Sequence, residues 1–251
     1  MKLYFAGDFW DKVLLEEGVT RRLLSFAAIK ELKKLGDFED IFLDSGAFSN
    51  STGADTITVS RYTLWLELYL DANPNINTYA VLDDISDPAI TQSNLEYMEA
   101  EGLKPLPVYH YGEDTEILTR LCNKYEYIAI GGIASQGLNT EKLRLLWEWI
   151  YENYPDNKFH LFGVGNVCAL QVYQPYSIDT TLWVNSTKFR IVAGYKDKMP
   201  YYFSMSVDNG VYVFFNSEEL IRNNIRAMLD WEKLEWLRDV PAPMAAQARL
   251  L

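Results

Sequence analysis

The chain has 251 residues, 49% of them hydrophobic, and a formal net charge of −12. That length is roughly the size of a (β/α)8 barrel, and the acidic balance argues against broad, nonspecific nucleic-acid binding, which needs a basic footprint. No apolar run approaches the roughly 20 residues of a membrane helix, and Met1 to Asp8 reads as a strand rather than a secretory leader, so a cytoplasmic protein is expected.

Leu3 to Ala6 is the first predicted strand, ending at Gly7-Asp8. Over Arg22 to Leu35, the apolar residues Leu23, Leu24, Phe26, Ala27, Ile29 and Leu32 fall near a 3.6 period and predict a helix, closed by Gly36. Phe42 to Asp44 is the second strand, and Ser49 to Thr58 the loop after it. Ser60 caps a helix to about Asp71 that Asn73-Pro74 stops. Thr78 to Leu82 is the third strand and ends in Asp83-Asp84. Asp87 caps a helix with Pro88 at its first position, running to about Glu101 before Gly102.

Leu106 to Tyr109 is strand four, ending at His110-Tyr111-Gly112, and Asp114 opens a helix to about Asn123. Tyr127 to Ile130 is strand five, ending at Gly131-Gly132. Thr140 caps a helix with Trp147, Ile150 and Tyr151 on its apolar face, which stops at Tyr154-Pro155. Phe159 to Phe162 is strand six, ending at Gly163-Val164-Gly165. A short helix follows from Val167 to Tyr173, and then strand seven, Tyr176 to Ile178, ending in Asp179. This alternation predicts a parallel α/β fold, a TIM-like (β/α)8 barrel with residues 1–251 as a single domain. Strand eight is either Lys188 to Val192 or one arm of a C-terminal β-hairpin, in which Tyr201 to Val207 and Val211 to Phe215 flank Asp208-Asn209-Gly210. Ser217 caps a long helix to about Arg238, and Asp239 to Leu251 reads as a frayed tail.

The strand tips carry the chemistry-bearing residues. A carboxylate at the end of a buried strand is costly to desolvate without a task or a partner. Asp44 and Asp179 are therefore taken as the centre of one site, since the C-terminal ends of barrel strands build the active site. Two such acids suit glycosyl transfer by double displacement, one attacking the anomeric carbon and the other moving the proton. The glycine tips Gly131-Gly132 and Gly163-Val164-Gly165 would let backbone approach a flat ligand. Phe48 and Phe162 could sandwich a base. The bland reading of any one such aspartate is a turn former or helix cap.

Asp44-Ser45-Gly46-Ala47-Phe48, Ile130-Gly131-Gly132-Ile133-Ala134, Phe162-Gly163-Val164-Gly165 and Asp179 resemble, in this order, the motifs of the tRNA-guanine transglycosylases. The resemblance spans roughly residues 40 to 185. It implies a barrel enzyme that exchanges guanine for a 7-deazaguanine, with Asp179 as the nucleophile that forms a covalent glycosyl-enzyme and Asp44 as general acid/base. It also implies that Asp83 holds the purine edge and that Gly132 offers a backbone N–H to the base carbonyl. Phe48 and Phe162 would stack on the two base faces, and His110 stands where the family has a base-contacting glutamine.

The family's cysteine/histidine zinc site and its tRNA-recognition insertion have no counterpart. This chain has Cys122, Cys168, His110 and His160 as its soft ligands, on scattered elements, so no cofactor and no structural zinc are expected. A compact, zinc-less chain is more similar to the phage and bacterial relatives that place 7-deazaguanines in DNA. The expected partners are therefore nucleic acid, DNA before tRNA, and the free 7-deazaguanine base, with no membrane; a phage-encoded chain would work in its host's cytoplasm. Lys188, Arg190, Lys196 and Lys198, just past Asp179, are the candidate phosphate contacts; a solvated loop is the bland reading of the same charge run. Two other classes stay open: a barrel hydrolase using both acids with water, and a non-catalytic module that binds a free deazapurine.

Overall fold

In the computed structural model, which describes residues 1–7, 10–29, 35–51, 53, 56–133, 140–165, 170, 173–185, 191–196, 199–204 and 217–233, the run Ile41-Phe42-Leu43 is wholly buried. A strand apolar on both faces needs cover on both, which is the habit of parallel sheets. These residues lie in β3 (Asp40–Asp44), within an eight-stranded, all-parallel sheet. Its other strands are β1 (Lys2–Phe5), β2 (Arg21–Ser25), β4 (Ile76–Tyr79), β5 (Val108–His110), β6 (Tyr127–Gly131), β7 (Lys158–Leu161) and β8 (Ser177–Thr180).

The spatial order is β4-β3-β2-β1-β8-β7-β6-β5. Neighbours in sequence are neighbours in space, and the first strand pairs with the eighth, Tyr4 opposite Asp179. The sheet curls into a half-barrel. Its outer strands approach each other at one parallel bridge, Ala80 with Leu106, where the Val81 N–H donates to Leu106 O at 2.9 Å and the Leu106 N–H to Tyr79 O at 2.8 Å.

The helices between the strands are α1 (Asp11–Glu16), α2 (Phe26–Ile29), α3 (Ala47–Ser51), α4 (Val59–Tyr69), α5 (Pro88–Ala100), α6 (Thr115–Lys124), α7 (Thr140–Asn153) and α8 (Leu182–Asn185). Where the sequence offers a strong cap, the helix starts there. The Asp87 carboxylate accepts the Ala89 N–H at 2.8 Å ahead of Pro88, and Asp114 accepts the Glu116 N–H at 2.9 Å. α4 is capped by Thr58, two residues before Ser60, through the Arg61 N–H. The loop expected over Ser49 to Thr58 is shortened, because α3 runs to Ser51.

The helix expected over Arg22 to Leu35 is corrected at its start: Arg21–Ser25 is β2, paired with both β1 and β3, α2 follows it, and residues 30–34 fall outside the described residues. The deciding residue is Arg22, with a side chain 1% exposed. Its Nη1 donates to Phe5 O at 2.5 Å and Leu23 O at 3.2 Å, its Nη2 to Gly7 O, and its Nε to Asp11 Oδ1 at 2.9 Å. A buried guanidinium must have its donors met, and the end of β1 and the start of α1 supply the acceptors. The extra strand moves the count by one, so Asp44 stands on the third strand and Asp179 on the eighth. Strand eight is thus Ser177–Thr180, neither Lys188 to Val192 nor a hairpin arm.

β9 (Ile191–Lys196) and β10 (Met199–Ser204) form a separate antiparallel pair. Tyr201 to Ser204 of the expected hairpin's first arm is strand, in β10; the rest of that hairpin, Met205 to Phe215, most of the helix expected over Val167 to Tyr173, and Leu234 to Leu251, with the end of the expected last helix, fall outside the described residues. α9 (Ser217–Leu229) packs on β9, where Asn224 Oδ1 accepts the Ala193 N–H at 2.8 Å and Asn223 Nδ2 donates to Ala193 O at 3.1 Å. A 3-10 turn, Asp230–Lys233, continues it. There Glu232 Oε1 accepts the Leu3 N–H at 2.8 Å and Arg21 Nη1 at 2.7 Å, tying the C-terminal segment to the start of β1. Among the described residues no helix is long and apolar enough to cross a membrane.

Arg22→Leu leaves the carbonyls of Phe5, Gly7 and Leu23 without their guanidinium donor, and it should lower unfolding stability by roughly 2–4 kcal/mol. Lys12→Ala, at an exposed ion pair with Glu16, should leave it nearly unchanged. Urea unfolding of the two variants measures the contrast.

Candidate active site at the strand ends

Side chains two apart on a strand share a face. Asp40, Phe42 and Asp44 therefore share one face of β3, and Ser177 and Asp179 one face of β8. Ring contacts show that such faces meet inside the curl: Phe42 lies 4.4 Å from the His160 ring and 5.6 Å from Phe162, and His160 lies 4.6 Å from Phe162. At the C-terminal end of this interior stand Asp44, Asp83 and Asp179.

Asp44 is held by a turn. Its Oδ2 accepts the Gly46 N–H at 3.1 Å, and Gly46 has φ +83°. A Cβ there would sit 3.0 Å from both Ala27 Cβ and Ile57 Cδ1, so both the backbone conformation and the space require glycine. Burial raises the Asp44 carboxyl most. The Asp83 charge adds to this and the more weakly felt Asp179 charge adds further, against the Gly46 N–H and a bond from Ser25; the result is about 7. Asp44 is thus a carboxyl poised to take or release a proton near neutral pH.

Asp83 is fixed from both sides. Ser45 Oγ donates to its Oδ1 at 2.9 Å, and His110 Nε2 lies 2.8 Å from its Oδ2. His110 Nδ1 lies 2.9 Å from Glu113 Oε1. Burial alone would lower the imidazole pKa, but its hydrogen bonds to Asp83 and Glu113 outweigh that and carry it to about 9. His110 is then a cation at neutral pH, with both ring nitrogens donating. A Cβ on Gly131 would come 2.6 Å from His110 Cδ2, so the space expected to admit a flat ligand at Gly131 is taken by the imidazole.

The Asp179 side chain is buried, and its Oδ1 accepts the Gly163 N–H at 2.8 Å. His160 Nε2 lies 3.3 Å from the same oxygen. Burial lowers the His160 pKa although Asp179 pulls the other way, so the ring is neutral.

The structure therefore gathers Asp44, Asp83, Asp179, His110 and Gly131, with Gly132 (φ +79°) and Gly163 (φ +66°) at neighbouring strand tips and Phe162 packed on His160 and Phe42. The backbone of Phe48 is in α3, but its side chain falls outside the described residues, as do Lys188, Arg190, Lys198 and the side chain of Lys196 at the end of β9. Sequence reasoning named Ser45 and His160 without giving either a role in the site, and it missed Glu113, Ser177 and Tyr127. Only Glu113, three residues past His110, and Ser45, next to Asp44, had proximity in sequence as a signal. Among the described residues no three His, Cys, Asp or Glu side chains are grouped to hold a metal. Burial pushes the Cys122 thiol up to about 12, far from a thiolate nucleophile; Cys168 is outside the described residues.

Compared with models of known protein families and with curated protein sequences, the chain gave no match.

The raised groups of this site make stability depend on pH, both with the same sign. The raised Asp44 carboxyl contributes stability that is full below 3.8 and lost as pH rises through about 7. The raised His110 contributes stability that is full below 6.5 and lost as pH rises through about 9. The urea midpoint should therefore fall between pH 5 and pH 9; Asp44→Asn should remove the lower part of that fall and His110→Gln the upper part. Gly131→Ala should cost roughly 1–3 kcal/mol by overpacking against His110, read by the same titration at pH 7.

Proposed function

We propose that the chain is a (β/α)8-barrel transglycosylase that exchanges guanine for a 7-deazaguanine base in a nucleic acid, DNA before tRNA, through a covalent glycosyl-aspartate. The observation that carries this reading is the pairing of Asp44 and Asp179. Asp44 has its carboxyl near 7, and Asp179 has one oxygen anchored by the Gly163 N–H, within range of each other's charge. Acid/base work at neutral pH needs a group titrating near the working pH, and covalent glycosyl transfer needs a second, ionised carboxylate. The barrel would close along the seam that the Ala80–Leu106 bridge marks.

In the first half, a carboxylate oxygen of Asp179 attacks C1′ of the nucleotide. The C1′–N9 bond breaks, its electron pair leaves with guanine, and protonated Asp44 gives N9 its proton. In the second half, Asp44 takes the N9 proton of the incoming base, that nitrogen attacks C1′, and the bond to Asp179 breaks to restore the carboxylate. Asp83 accepts from the N–H groups of the purine edge. Its oxygens each keep lone-pair capacity beyond the bonds from Ser45 and His110, so the His110 cation holds Asp83 in place while the base binds. Gly132 offers its N–H to the base carbonyl, and Phe48 and Phe162 flank the ring. Lys188, Arg190, Lys196 and Lys198 meet the phosphates in the host or cell cytoplasm.

Labelled guanine incubated with the protein and either duplex DNA or tRNA tests this. Label should enter DNA, and a folded Asp179→Asn protein should incorporate none. Lys188→Ala with Arg190→Ala should weaken polymer binding, with a log–log salt slope shallower by about 0.7 to 0.9 for each phosphate no longer neutralised, and leave free-base binding intact. Label in tRNA alone overturns the choice of polymer. Cleavage of free nucleoside with neither polymer labelled makes the protein a hydrolase, and base binding without exchange makes it a binding module.

A further inference from the structure

Glycosyl transfer through Asp179, with Asp44 moving the proton, gives the wholly buried His160 no task. His160 is 0% exposed and enclosed by aromatic rings, Tyr4 at 6.1 Å, Phe42 at 4.4 Å and Phe162 at 4.6 Å. Its Nδ1 is 2.8 Å from Ser177 Oγ, the residue opposite it in the β7–β8 register. Ser177 Oγ is 2.6 Å from the Tyr127 hydroxyl on β6. Among the described residues Nε2 has no hydrogen-bond partner of ordinary geometry, and the polar atom it approaches is Asp179 Oδ1 at 3.3 Å.

Two proton arrangements fit the chain of contacts. If Nδ1 carried the proton, it would donate to Ser177, Ser177 would donate to Tyr127, and a bare Nε2 lone pair would face the Asp179 carboxylate. Two acceptors would then be buried against each other. In the other arrangement Tyr127 O–H donates to Ser177, Ser177 O–H to Nδ1, and Nε2–H points at Asp179 Oδ1. Every donor then has an acceptor, as burial demands. Burial also holds the Tyr127 phenol in its protonated, donating form.

Oδ1 of Asp179 then faces two donors, the Gly163 N–H and His160 Nε2–H, while among the described residues no hydrogen bond reaches Oδ2. From this geometry we infer that Tyr127, Ser177 and His160 form a positioning relay that holds Oδ1 and presents Oδ2 as the oxygen that bonds C1′. This rests on the reading of Asp179 as the nucleophile. When Oδ2–C1′ forms, Oδ1 becomes the ester carbonyl oxygen. When Oδ2–C1′ breaks, the electron pair returns to the carboxylate and the donors at Oδ1 stabilise that departing charge. The relay thus favours breakdown of the covalent intermediate. The 3.3 Å contact is long, and hydrogen bonds in unliganded sites often tighten in the reacting complex.

The experiment has two arms. In the wild-type protein, long-range ¹H–¹⁵N correlation of labelled histidine should give His160 as the neutral Nε2–H tautomer at pH 7; an Nδ1–H tautomer or an imidazolium overturns the relay whatever the protein catalyses. In guanine exchange with duplex DNA or tRNA, whichever is labelled, His160→Phe should lower kcat about a hundredfold with KM little changed, a loss of the size seen when one aimed donor is removed. Covalent adduct should accumulate. His160→Gln, whose amide nitrogen can stand where Nε2 stood, should recover much of the rate, and Ser177→Ala, which frees the ring to change tautomer, should fall between them. Wild-type kcat in folded His160→Phe and Ser177→Ala proteins overturns the relay while leaving the transglycosylase reading intact. Undiminished exchange by Asp179→Asn overturns the transglycosylase reading, with the tautomer measurement standing apart from it.

Discussion

Bringing three carboxylates out of water at one end of a parallel sheet is the constraint that orders this molecule. Each charge removed from solvent must meet donors or give up its ionisation. Asp83 meets a hydroxyl and the imidazolium of His110, and Asp179 meets a backbone N–H. Asp44 has the Gly46 N–H and Ser25 against two neighbouring charges, and it answers by holding its proton to about 7. Its acid/base character comes from what its surroundings fail to supply. The glycines at 46 and 131 follow from the same demand, the first for the turn that delivers an N–H, the second for the room that the imidazole needs.

The opposite end of the interior solves the problem differently. Asp40 accepts from the Tyr4 hydroxyl at 2.9 Å, from Asn77 Nδ2 at 3.1 Å and from Lys2 at 3.3 Å, and Arg21 pairs with Glu232. Burial, with Asp40 adding to it, drives the Tyr4 phenol far upward, so it remains a neutral donor. Lysine and arginine are the counter-charges here, and the carboxylates stay acceptors. At the Asp44 end the described cation is a histidine already shared between Asp83 and Glu113. One end is built to stay still and the other to change its protonation.

Much of the fold could be read from the chain. Uninterrupted apolar runs such as Ile41 to Leu43 and Ile128 to Ile130 announce buried strands, and Asp87-Pro88 and Asp114 fix helix starts through local hydrogen bonds. β2 could not be read, because an arginine amid leucines looks like the polar face of a helix; acceptors distant in sequence, the carbonyls of Phe5 and Gly7 and the Asp11 carboxylate, explain why it is buried. Asp44, Asp83 and Asp179 were legible as strand-end acids, and their convergence follows from parallel alternation. The Tyr127–Ser177–His160 chain was not, since its members lie on three strands and meet through register alone. Where the basic segment lies is a different matter, as Lys188, Arg190 and Lys198 fall outside the described residues.

The join between β4 and β5 also has a consequence for how the chain could be divided. One bridge links them, whereas β1 and β8 share a ladder from Lys2–Ser177 to Phe5–Thr180. The sheet is thus two four-stranded halves, β1 to β4 and β5 to β8, hinged on their outermost partners in sequence. Asp44, Ser45 and Asp83 belong to the first half; His110, Gly163 and Asp179 belong to the second. A cut in the exposed turn at Gly102 would leave each fragment with an incomplete set of partners: a bare carboxylate in one and its imidazole in the other. Reassembly of the two pieces would then be driven by the same unmet charges that the intact chain brings together.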